Sequence, residues 1–137
     1  MRLMRDESKE IVHGDLVEMD FLEKVMARMP RDVDVLEALG DLYTRVGRYE
    51  DGLAVDKKLI ELEPDDMTIW YNLGCSLALL NRRESALKAL EQAIHLGYDD
   101  YKWMSSDNDL MCLRSDGQFQ SLLKRISSPL HDNAHDA

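Results

Sequence analysis

The chain has only two cysteines, Cys75 and Cys112, among its 137 residues. They form no CxxC pair for zinc or redox chemistry, and two thiols make no disulfide framework. The expectation is a pair of free thiols in a reducing compartment. Basic residues are scarce. Lys and Arg number 17 against 27 Asp and Glu, a formal net charge of -10. Nucleic-acid binding needs clustered Lys and Arg, and an anionic membrane surface attracts the same residues, so both partners are disfavoured.

Long apolar runs are also missing. The longest uncharged stretch, 67–81, falls short of the roughly 20 residues that a membrane span needs, and Asn72 and Ser76 interrupt it. The charged residues near the start are followed by no apolar run, so a secretory signal is not expected. No glycine-rich phosphate loop occurs. Ser85, Ser105 and Ser106 have no His–acid set near them in sequence. His13 and His95 are isolated, while His131 and His135 are four apart without a third ligand type. The chain is therefore expected to be cytoplasmic and to have no enzymatic activity, cofactor or metal of its own.

What is present is a repeat. Hydrophobic residues make up 45% and charged residues 32%, a globular balance. Leu39-Gly40 recurs as Leu73-Gly74, 34 residues later (73 − 39 and 74 − 40), with Leu36 and Tyr43 answered by Trp70 and Leu77. Apolar residues at three- and four-residue steps predict helices at 33–46, 49–62, 67–80 and 83–96. Gly47, Pro64, Asn81 and Gly97 punctuate them. An earlier helix at 15–29 stops at Pro30 and Asp32. Beyond 100 the pattern is irregular: one turn at 101–104, a short apolar piece at 110–113, and a final helix at about 116–126.

A 34-residue period of paired helices is similar to that of tetratricopeptide repeats. The residues carrying the resemblance are Leu36, Leu39, Gly40, Tyr43, Gly47, Tyr49, Leu59 and Pro64, then Trp70, Leu73, Gly74, Leu77, Ala86, Leu90 and Ala93. The segment from Asp107 through Asp109-Leu110, Leu113-Arg114, Asp116 and Phe119 to Leu122-Leu123 resembles a unit that closes short bacterial repeat proteins. The resemblance implies an all-α fold, a right-handed α-solenoid of antiparallel helix hairpins. The expected organisation is a flexible N-terminus at 1–14 and a single domain at 15–126. That domain comprises a capping helix (15–29), repeats at 33–66 and 67–100, and a C-terminal capping unit at 101–126. A disordered tail follows at 127–137. Two positions depart from the family pattern. Gly52 replaces a preferred Ala, and Asp56 replaces a bulky aromatic, with its carboxylate expected to be exposed or capped by a basic neighbour.

The resemblance also implies a function: binding of a peptide or protein segment in a concave groove lined by the first helix of each repeat. The groove-facing residues would be Asp34, Glu37, Asp41 and Arg45 in the first repeat. In the second they would be Thr68, Tyr71, Asn72, Cys75 and Leu79, with Lys102 at the far end. Such a groove grades from acidic to apolar and suits a segment with basic and apolar character. Family members that clamp a terminal carboxylate use basic and amide residues. Asn72 and Lys102 agree with that pattern, but Glu37 and Asp41 would repel a carboxylate. The expected role is an adaptor, scaffold or assembly factor, monomeric or weakly self-associating. The alternatives are a self-associating scaffold and a regulatory subunit of an enzyme encoded elsewhere.

Overall fold

The computed structural model describes residues 2–127. The tail expectation, and with it His131 and His135, lies almost entirely outside the described residues. The elements are α1 (Arg2–Arg28), α2 (Val33–Arg45), α3 (Tyr49–Leu62), α4 (Met67–Leu79), α5 (Arg83–His95), α6 (Tyr101–Ser106), a 3-10 helix (Asn108–Leu113) and α7 (Gly117–Ser127). Among the described residues there is no strand, so the fold is all-α and built of helix hairpins like those of tetratricopeptide repeats. The first helix starts well before the Asp15 boundary that periodicity suggested. The described residues fall into two compact units, one ending at Leu62 and the other starting at Glu63. Among the described residues, no helix is long and apolar enough to cross a membrane.

Capping chemistry explains why the helices start and stop where they do. Asp32 accepts a hydrogen bond from the Val35 amide, Asp66 from those of Thr68 and Ile69, and Asp100 from that of Trp103. Each thereby satisfies amides that the first helical turn leaves unpaired. At the other end, the Arg48 amide donates to the Tyr43 carbonyl, the Arg82 amide to Leu77, and the Tyr98 amide to Ala93. These are Schellman closures, which require one residue in the left-handed region. Gly47, Asn81 and Gly97 take it, with φ of 84°, 59° and 115°. Asn81 is the single non-glycine residue to do so among those described, and Asn tolerates this region better than most.

In the first unit α2 packs on both α1 and α3. Leu36, Leu39, Leu42 and Tyr43 of α2 and Leu53, Val55 and Leu59 of α3 are buried. Asp56 is buried as well, which rules out the exposed one of its two expected states, and its Oδ1 lies beside Gly40. Arg45 of α2 pairs with the buried Asp15 of α1 at 3.0 Å, and the Tyr43 hydroxyl donates to Glu23 at 2.5 Å. Burial, then Glu23, hold the Tyr43 hydroxyl well above its ordinary titration range.

In the second unit α4 packs on α5, and α7 packs on α5 and α6. Ile69, Leu73 and Leu77 of α4 are buried; Trp70 is only half-buried, and its ring N–H donates to the Pro64 carbonyl at 2.7 Å. Small residues let α4 and α5 approach closely. Gly74 faces Leu90, and Ala86, Leu90 and Ala93 are completely buried. A methyl group on Gly74 would lie 2.8 Å from Leu90 Cγ and Cδ2. On Gly52 it would meet Thr44 Oγ1 at 3.4 Å, an ordinary contact. The two glycines should therefore respond in opposite directions. Gly52→Ala is expected to stabilise by up to about 1 kcal/mol through helix propensity. Gly74→Ala is expected to destabilise by about 1–3 kcal/mol through overpacking. Urea unfolding followed by circular dichroism reads both, and equal signs would contradict the packing described.

Candidate functional site

The α2 residues predicted to line a groove lie on one side of the helix. Asp34, Glu37 and Asp41 are exposed, and Ala38 and Thr44 beside them are half-buried. Leu36, Leu39 and Tyr43 point into the unit instead, as the 3.6-residue period requires. Arg45 is exposed at the same end, but its guanidinium is engaged by Asp15. Partial desolvation raises the Asp41 carboxyl above its ordinary range even though the side chain reaches solvent, with Arg45 opposing the shift. The outer surface of α2 is thus dominated by carboxylates.

The matching face of α4, in the second unit, is built differently. Tyr71 and Cys75 are 4% and 7% exposed, so neither is open to a partner in this state. The segment that follows α6 covers them, since the 3-10 helix packs directly on α4. The Tyr71 hydroxyl donates to Asp107 Oδ2 at 2.7 Å, and the Cys75 thiol donates to the same oxygen at 3.7 Å. Asp107 Oδ1 accepts the Asp109 amide at 3.0 Å and so caps the 3-10 helix. Farther along, the Cys112 thiol donates to the Ala78 carbonyl at 3.2 Å. Tyr98 stacks on Tyr71 with ring centroids 4.4 Å apart and an interplanar angle of 9°. Around this clasp Thr68, Asn72 and Lys102 remain exposed, and Leu79 is half-buried.

The clasp has consequences for titration. Burial, then Cys75, the bond to Asp107 and neighbouring groups, keep the Tyr71 hydroxyl protonated far beyond its ordinary range. Burial, then the charges of Asp107 and Asp109, push the Cys75 thiol up, which makes it a poor nucleophile. Tyr98 is raised to about 12, mainly by burial. Burial, then Asp107, raise Asp109. One sulfur and two carboxylate donors, from Cys75, Asp107 and Asp109, lie within 4.8 Å of one another. Both Asp107 oxygens already accept hydrogen bonds from protein donors, so the arrangement serves as a structural clasp.

The expected site residues therefore separate. Asp34, Glu37, Asp41 and Arg45 sit in the first unit. Thr68, Tyr71, Asn72, Cys75, Leu79 and Lys102 sit in the second, where two of them are sealed. Periodicity did not reveal Asp107, Tyr98 and Cys112 as the groups that seal them. The available signal was Asp107 itself, an N-cap residue type directly before a short apolar piece.

Residues 68–96 match the family model described as tetratricopeptide repeat. Over 110 residues the chain is 32% identical to a chloroplastic protein of Arabidopsis thaliana, covering 78% of this chain and 32% of that protein. Over 65 residues it is 35% identical to the peroxisomal targeting signal receptor of Candida albicans, covering 47% of this chain and 11% of the receptor. The chain thus spans well under two thirds of either relative. Among solved structures, MamA MSR-1 C2 superposes with a TM-score of 0.66 at 20% identity, covering 90% of this chain and 70% of that one. The match at 68–96 identifies a tetratricopeptide repeat in this chain, a repeat type of protein-interaction modules, and the superposition shows that the chain shares the fold of stacked helix hairpins.

Proposed function

We propose that the chain is an adaptor whose recognition surface is the exposed face of α2, and that it takes a basic segment of a partner protein. One contrast carries this reading. The α4 face is occupied by the chain's own 107–113 segment, whereas Asp34, Glu37 and Asp41 on α2 reach solvent. With Tyr71 and Cys75 sealed, the apolar anchor expected from sequence is lost, and charge complementarity becomes the main source of selectivity. The name of one relative, a targeting signal receptor, is in keeping with recognition of a short segment by a domain of this family. An exposed charged surface gives modest affinity that weakens as salt screens it.

An array of synthetic peptides of graded charge tests the proposal. Lys- and Arg-bearing peptides are expected to be retained at low salt and released as salt rises. Glu37→Lys with Asp41→Lys is expected to reduce retention by about tenfold, since each lost charge-assisted contact is worth about 1 kcal/mol at such a surface. Helical content should stay unchanged. Preference for acidic peptides, or unchanged retention in the double variant, would contradict the assignment.

A further inference from the structure

The first unit also contains a concave feature, whose lining includes none of Asp34, Glu37 and Asp41. A trough of about 450 Å³ lies among α1, α2 and α3. Leu36, Tyr43 and Val55 are buried in its lining, and Met26 of α1 and Ala54 of α3 add further apolar surface. The volume falls in the range of about 300–1,000 Å³ typical of small-ligand sites. α3 contributes Asp51, Ala54, Val55 and Lys58, one helical face at i, i+3, i+4 and i+7. At 1.5 Å per residue, Asp51 and Lys58 stand about 10 Å apart along the axis.

The two charged residues are not equivalent. Asp51 is neutralised by Arg48, whose Nε lies 2.7 Å from its carboxylate. Lys58 is half-buried and has no hydrogen bond or ion pair among the described residues. A half-buried ammonium beside apolar surface favours an anion. We propose that this trough binds a medium-chain carboxylate, with the chain lying along the α3 face and the carboxylate at Lys58. An eight-carbon chain extends about 9–10 Å, which matches the span from Lys58 to the Asp51–Arg48 pair. A small anion is favoured over a docked helix because the apolar lining carries a single cation without an ion-pair partner among the described residues, Lys58.

The test is an amide NMR titration of the full chain with sodium octanoate. Shifts are expected at Ala54, Val55 and Lys58, with octan-1-ol and octylammonium binding more weakly. Lys58→Gln is expected to weaken octanoate about tenfold or more, as loss of a charge-assisted contact does. Lys57→Gln, on an exposed neighbouring position, is expected to leave it unchanged. Ala54→Trp, at another exposed position, should fill the trough and abolish binding while circular dichroism confirms the fold. Equal binding of octanol, an unaffected Lys58→Gln, or shifts elicited by an acidic amphipathic helical peptide but not by octanoate would overturn the proposal.

Discussion

Phe119→Ala is expected to lower the unfolding free energy by about 3–5 kcal/mol, the usual cost of emptying a buried aromatic site. Phe119 is 1% exposed and sits in the first turn of α7. Asp116 fixes that turn by accepting the amides of Gln118 and Phe119 at 2.8 and 3.3 Å. The same helix buries Leu122, Leu123 and Ile126 and packs on α5 and α6. Relaxation into the cavity is therefore restricted from several sides. Urea unfolding checks the value. A loss below about 0.5 kcal/mol would mean that the site tolerates change as a surface position does.

Asp107→Ala is expected to cost about 2–4 kcal/mol. Loss of the 3-10 helix cap contributes about 1 kcal/mol. Leaving the buried Tyr71 hydroxyl without its acceptor contributes about 1–3 kcal/mol more. Asp107→Asn retains a capping oxygen and should lose less. The two contributions can be separated with Tyr71→Phe. In that background Asp107→Ala should cost less than in the parent, because the orphaned hydroxyl is already gone. Equal costs in the two backgrounds would show that the Tyr71–Asp107 bond contributes nothing to stability.

Most of the secondary structure was legible in the sequence, for physical reasons that particular residues make plain. The helices at 33–46, 49–62, 67–80 and 83–96 end within a residue of α2, α3, α4 and α5. Each boundary combines a change in apolar period with a residue suited to a cap or to positive φ, such as Gly47 or Asn81. Three features were not legible. Trp70 answers the buried Leu36 in the repeat pattern, but its side chain is half-exposed with its ring N–H on the Pro64 carbonyl, and its neighbour Ile69 is the buried residue. Aromatic size marks a position as important without saying which of two adjacent residues faces inward. Asp56 was expected to be exposed or capped by a basic neighbour, because an unpartnered carboxylate is costly to bury; the exposed alternative fails, since it lies inside, beside Gly40.

The third feature decides the functional reading. Helical periodicity marked Tyr71 and Cys75 as one stripe of α4 but carried no information about what lies over that stripe. The cover is a six-residue 3-10 helix, too short to show a period of its own. The 107–113 segment could be recognised as apolar and well supplied with caps, but not as the element that closes on α4. The acidic face of α2 was legible because exposed carboxylates at i, i+3 and i+7 need no tertiary partner to define them.

The most direct test of this account is the reactivity of the Cys75 thiol toward a soluble disulfide reagent, measured in a Cys112→Ala background. If the 107–113 segment seals α4, Cys75 should react at least about a hundredfold more slowly than in the urea-unfolded chain, because labelling then requires the clasp to open. Asp107→Ala should accelerate it while helical content is retained. Native labelling within about threefold of the unfolded rate, or protection that Asp107→Ala leaves untouched, would contradict the sealed face, since both burial and a raised thiol pKa were assigned to that clasp.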